Sequence, residues 1–140
     1  MKLTTLFPVC LAVLALSPAS AEEPARENLS FRKQIKPVFR EKCVHCHNRK
    51  TLPNEVSFES AAGAFVQTEA GQSIIVPGKP EESLLIIALE SDRMHEKAMP
   101  MVGPRPTKEE IELLRQWIRE GATWPKGLTG RIIPPFYATE

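Results

Sequence analysis

Cys43, Cys46 and His47 are the residues of this chain whose types and spacing specify a chemistry. They stand in the run Cys43-Val44-His45-Cys46-His47, a C-x-x-C-H pattern. Two cysteines three positions apart share one face of a helical turn. From there their sulfurs can bond the two vinyl groups of one porphyrin as thioethers. His47, one turn beyond Cys43, can then bind the iron from one side. The pattern is the attachment signature of c-type haem. A zinc site needs two more ligands, and the chain has no second cysteine pair. A thioredoxin-like redox pair needs a βαβ context, which the sequence lacks. His45, inside the motif, reads as a solvated spacer.

A haem iron has a second axial position. Methionine opposite histidine raises the potential, whereas an open position permits ligand binding or peroxide chemistry. The candidates Met94, His95, Met99 and Met101 all fall within nine residues, Arg93-Met94-His95-Glu96-Lys97-Ala98-Met99-Pro100-Met101. Pro100, Pro104 and Pro106 make this stretch a stiff loop. Any one of these methionines taken singly reads as a packing group; the stretch as a whole reads as the source of the ligand.

Helices must position these groups. Ser30 can cap a helix with Phe31, Ile35, Val38 and Phe39 on one side, running into Cys43. Pro37 either kinks it or opens a fresh helix in its first turn. Residues 48–78 are irregular, with a short helix expected over 57–66 and Phe58, Phe65, Ile74 and Val76 pointing inward. A middle helix is expected from Pro80 to Leu89, lining the core with Leu84, Leu85, Ile87 and Ala88. The clearest helix is the last. Thr107 and Glu110 form a T-x-x-E capping box, Ile111, Leu114, Trp117 and Ile118 form an apolar stripe, and Gly121 is the C-cap glycine. The stripe is expected to pack on the first helix.

The chain begins with Lys2, a short apolar run from Leu3 to Leu16, and Ala19-Ser20-Ala21, the pattern of a secretory signal peptide over residues 1–21. The run is too short, and interrupted by Pro8, to span a membrane, so no stable membrane insertion is expected after cleavage. Cleavage removes Cys10 and leaves Cys43 and Cys46 as the only cysteines. Export to the periplasm and c-type haem agree. Residues 22–30 read as a flexible leader, 31–126 as one small domain, and 127–140 as a loose tail containing proline and glycine. A domain of this size has a limited core of its own, so the protein without its porphyrin is expected to fold poorly.

Charge is balanced overall but uneven in place. Residues 31–50 hold seven basic side chains (Arg32, Lys33, Lys36, Arg40, Lys42, Arg49 and Lys50) against one acid, Glu41. That cluster is either a solvated helix face or a surface that steers an acidic redox partner. Nucleic-acid binding has no support, because there is no basic excess and no aromatic interleaving.

Four pieces in order carry a resemblance: Phe31…Ile35-Lys36-Pro37-Val38-Phe39…Cys43-Val44-His45-Cys46-His47; Val76-Pro77-Gly78-Lys79-Pro80-Glu81-Glu82-Ser83-Leu84-Leu85; Met99-Pro100; and Trp117-Ile118-Arg119-Glu120-Gly121-Ala122-Thr123-Trp124-Pro125. Over about residues 31–126 the chain resembles the small cytochrome c-like domains of planctomycetes, the planctomycete cytochrome C domains. The resemblance implies an all-α, cytochrome c-like fold of class I, with helices packed around one covalent haem c. It also implies histidine and methionine as axial ligands. The family methionine stands in a Met-Pro-Pro motif, which points to Met99 in Met99-Pro100-Met101. Asn48 stands where a glycine commonly follows the histidine.

The leading expectation is therefore an exported, mono-haem electron carrier and not an enzyme. Haem c is attached through Cys43 and Cys46, His47 and Met99 lie on the iron, and redox partner proteins dock near 31–50. One alternative is a haem enzyme or ligand sensor with an open sixth site, for which His95 is the obvious distal group. Another is a haem-bearing module of a larger periplasmic oxidoreductase, which co-purification of a stable partner would reveal.

Overall fold

The computed structural model describes residues 29–53 and 55–135. The expected signal peptide, most of the leader and residues 136–140 lie outside the described residues. Among the described residues the chain is helical and has no strand; an isolated antiparallel bridge joins Gln67 to Ser73. No helix among them is long and apolar enough to cross a membrane.

Pro37 settles how the first helix is built. A π-helical turn, Phe31–Ile35, is capped by Ser30, whose hydroxyl accepts the Lys33 N–H. It passes into α1, Lys36–Lys42, with Pro37 in the first turn, where its missing donor leaves no bond broken. The wider π turn lets the Lys36 N–H reach the Phe31 carbonyl. Phe31, Ile35, Val38 and Phe39 are buried, as their spacing predicts.

The middle of the chain departs from expectation in two places. Helix α2, Ala61–Ala64, is shorter than the segment expected over 57–66. Phe65 and Val66 therefore lie beyond it, and Phe65 is exposed. In the second place, a 3-10 turn, Pro80–Glu82, precedes α3, Leu84–Glu90. Ser83 separates them: its buried hydroxyl donates to the Lys79 carbonyl at 2.9 Å and accepts the Val76 N–H at 2.9 Å. Helix α3 therefore starts at Leu84 and has its own phase. Leu85, Ile86, Ala88 and Leu89 face the core, whereas Ile87 is 38 % exposed and Leu84 is half-buried.

Helix α4, Lys108–Arg119, has both bonds of the Thr107–Glu110 capping box. It ends in a Schellman motif: Gly121 N–H reaches the Ile118 carbonyl and Ala122 N–H the Trp117 carbonyl, both at 2.9 Å. Gly121 takes φ +98°, which glycine adopts without a Cβ penalty. Its apolar stripe meets the first helix as expected. Trp117 lies 5.9 Å from Phe31 and 5.7 Å from Phe39, and Phe39 stacks on Phe58 at 4.9 Å.

Residues 127–135 are not a loose tail. Helix α5, Gly127–Gly130, brings the Gly130 carbonyl to the Trp124 indole N–H at 2.7 Å. Ile132 N–H donates to the Glu59 carbonyl, and Ile132 and Pro134 are fully buried. Two side chains two positions apart on an extended stretch are buried, Ile132 among the core residues; the expectation of a tail weighed the glycines and prolines and missed them.

Candidate haem site

The C-x-x-C-H run begins where α1 ends. Cys43 is the residue after the helix, with φ −121° and ψ −51°. The backbone continues as a turn, with the Cys46 and His47 N–H groups both donating to the Cys43 carbonyl at 3.2 and 3.0 Å. The expectation of a regular helical face is therefore met only in part. Cys43 is 7 % exposed and belongs to the aromatic core, whereas Cys46 is exposed; both thiols are free. Burial pushes the Cys43 thiol up to about 12, helped by the nearby charge of Glu110. Cys43 and Cys46 would hold a porphyrin with one thiol from the interior and one from the surface.

Asn48 holds this turn. It is fully buried. Its amide donates to the Val44 carbonyl at 2.9 Å, the His45 carbonyl at 3.1 Å and the Thr51 hydroxyl at 3.0 Å. Its side-chain oxygen accepts the Lys50 and Thr51 N–H groups at 3.0 and 2.9 Å. Four of these five bonds take up backbone groups that a tight turn would otherwise leave unpaired. A glycine there would supply none of them. Sequence reasoning treated Asn48 only as a departure from the family pattern. An Asn at the close of a turn, able to bond its own backbone two and three residues on, was the available signal.

His47 is set against Phe58. The Phe58 N–H donates to the His47 carbonyl at 3.0 Å, and the two rings meet edge to face with centroids 5.6 Å apart. The imidazole Nδ1 is buried and has no hydrogen-bond partner. Burial lowers the His47 pKa from its ordinary value; the Val56 backbone and the Glu55 carboxylate pull the other way. The imidazole therefore stays neutral near neutral pH, the form that binds a metal. Glu55 and Val56 also line a cavity of about 650 Å³, together with Val66, Thr68 and Ile74. That volume falls in the range of ~300–1,000 Å³ usual for cofactor-sized pockets.

The residues present fit a covalent haem. A neutral imidazole with a buried, unpaired nitrogen and two free thiols within four residues of it are the groups such a cofactor uses. Among the described residues no three His, Cys, Asp or Glu side chains come together as a zinc ion's ligands would.

The four candidates for the opposite axial position are not alike. Met94 is 92 % exposed, Met101 is 70 % exposed and His95 is exposed. Met99 is half-buried and follows the buried Ala98. Its N–H donates to the Ala88 carbonyl in α3 at 2.9 Å. His95 spends its Nδ1 on the Lys97 N–H at 3.1 Å. The loop also meets the segment before α3 through Lys97, whose ammonium lies 3.4 Å from the Gln72 side-chain oxygen.

Of the basic cluster, Arg32, Lys33, Arg40 and Lys50 are exposed. Lys36 donates to the Thr129 carbonyl at 3.0 Å, and Arg49 pairs with Glu59 at 3.5 Å.

Residues 43–100 match the family model described as Planctomycete cytochrome C, the family that the sequence resembles. The match opens on Cys43 and closes on Pro100. No curated protein and no solved structure matches the chain.

Proposed function

From residues 43–100 as a cytochrome C segment of the planctomycete family, we propose that the protein is an exported, mono-haem c-type cytochrome that carries one electron at a time. The haem is bound through Cys43 and Cys46, with His47 and Met99 on its iron. The observation that carries this reading is the buried, unpartnered Nδ1 of His47, beside the two free cysteines of a C-x-x-C-H run. Burying a polar nitrogen without a partner is costly, and a site meant for a bound group explains it.

Bound haem supplies an iron that alternates between Fe(III) and Fe(II). The chain's own residues do the rest. Asn48 fixes the turn that carries His47. Phe58 fixes the plane of the imidazole. Met99, tied at its backbone to α3, offers a thioether from a loop stiffened by proline, so little rearranges with each electron. Cys46 at the surface leaves one porphyrin edge within reach of a partner, and exposed Arg32, Lys33 and Arg40 favour an acidic one.

The alternative of an enzyme or sensor with an open sixth site asks for a distal base. His95 is exposed and already engaged with Lys97, which speaks against that role. Maturation with the c-type haem machinery tests the proposal: one haem per chain, retained under denaturing conditions, is expected. A chain that carries no covalent haem would overturn it.

A further inference from the structure

Arg105 joins the two limbs of the loop that carries Met99. Residues 91–107 run from the end of α3 to the cap of α4. Most of their hydrogen bonds are internal: Asp92 accepts the Met94 and His95 N–H groups, and the His95 carbonyl accepts the Ala98 N–H. Beyond Ser91, which bonds the Ile87 carbonyl where α3 ends, two residues of the loop reach the helix instead. The Met99 N–H donates to the Ala88 carbonyl at 2.9 Å, and the Arg105 guanidinium donates to the Ala88 carbonyl at 3.3 Å and the Leu89 carbonyl at 2.5 Å. The residue at the candidate ligand and the arginine six positions later thus share one acceptor.

The chemistry suits the place. The last carbonyls of a helix have no partner within it and carry partial negative charge. A guanidinium is a strong, permanently charged donor, and one of its nitrogens, Nη2, here bridges both carbonyls. Arg105 is half-buried, followed by the buried Pro106 and preceded by Pro104, so its backbone has little freedom. We propose that Arg105 is the positioning residue for the sixth iron ligand: by clamping Ala88 and Leu89 it fixes the acceptor that holds the Met99 backbone, and so keeps the thioether on the iron. This rests on the assignment of Met99 given above.

The test uses the haem-loaded protein and two variants. Arg105→Gln removes the clamp. Arg115→Gln is the control, because Arg115 also braces α3, through a bidentate pair with Glu90, but has no contact with the loop. The readouts are the sulfur-to-iron charge-transfer band in the near infrared, the affinity of ferric protein for imidazole, which must displace the thioether, and the reduction potential. In R105Q imidazole should bind about tenfold more tightly, the size of one lost charge-assisted hydrogen bond. The potential should fall and the band weaken, with R105K intermediate and R115Q like the parent. If R105Q and R115Q bind imidazole as the parent does, while the parent shows the band, the positioning role is wrong. If the parent lacks the band, the assignment of Met99 is wrong and the inference falls with it.

Discussion

Phe58 holds His47 twice, once by a backbone N–H on the His47 carbonyl at 3.0 Å and once by its ring, edge to face at 5.6 Å. The same ring stacks on Phe39 at 4.9 Å. The proposed axial ligand is thereby coupled directly to the aromatic core of α1 and α4. Phe58→Ala should cost roughly 3–5 kcal/mol, as for other buried aromatic truncations. Phe58→Leu keeps the backbone bond and most of the volume and should cost less. Urea denaturation of the haem-loaded proteins, followed at the haem band, measures both.

Asn48 distinguishes its amide from its carbonyl, since each bonds different partners. Asn48→Asp keeps the acceptor for Lys50 and Thr51 but turns the donor facing Val44 and His45 into a carboxylate oxygen beside carbonyls. It should therefore be worse than Asn48→Ala, which loses roughly 1–3 kcal/mol per unsatisfied buried group. The yield of covalently loaded protein and its thermal midpoint should rank parent, alanine, aspartate in falling order.

Much of this site was legible in the sequence, and the reasons differ by residue. Cys43, Cys46 and His47 are candidates from spacing alone, because the attachment signature fixes residue types and intervals. The α4 cap and stripe were legible because Thr107, Glu110 and Trp117 obey local rules that tertiary contacts do not override. The face of α3 was not, since the phase depends on where the helix starts, and Ser83 moves that start through bonds to Lys79 and Val76. Arg105 and the Ile132 segment were not legible either. Their partners lie 16 and 73 positions away, at Leu89 and Glu59, and no local pattern records such pairs.

Gly130 is required by packing rather than by its backbone angles. A Cβ there would overlap the Pro125 carbonyl and press on the Trp124 ring. Gly130→Ala should cost on the order of 1–3 kcal/mol and release the Trp124 indole from its bond to the Gly130 carbonyl. A lower thermal midpoint with a red-shifted tryptophan emission is expected.

Glu90 gives the protein a modest acid sensitivity. The Arg115 guanidinium, bonded to both its oxygens, holds its carboxyl below the ordinary value of 4.5. A depressed carboxylate contributes its stability in full above the unfolded value and loses it as pH falls through the folded value. The pair is partly exposed, so the effect is only about 0.2–1 kcal/mol. The difference in stability between parent and R115Q should therefore shrink as pH falls below 4.5, as read by denaturation at a series of pH values.

The most direct measurement is the absorption spectrum of the matured protein, oxidised and reduced, from the visible into the near infrared, beside Met99→Ala. A low-spin spectrum with the weak sulfur-to-iron band, lost in M99A but kept in Met94→Ala and Met101→Ala, is the predicted result. A high-spin spectrum without that band, unchanged in M99A, would contradict the His47–Met99 pair and place the protein among haem proteins with an open iron.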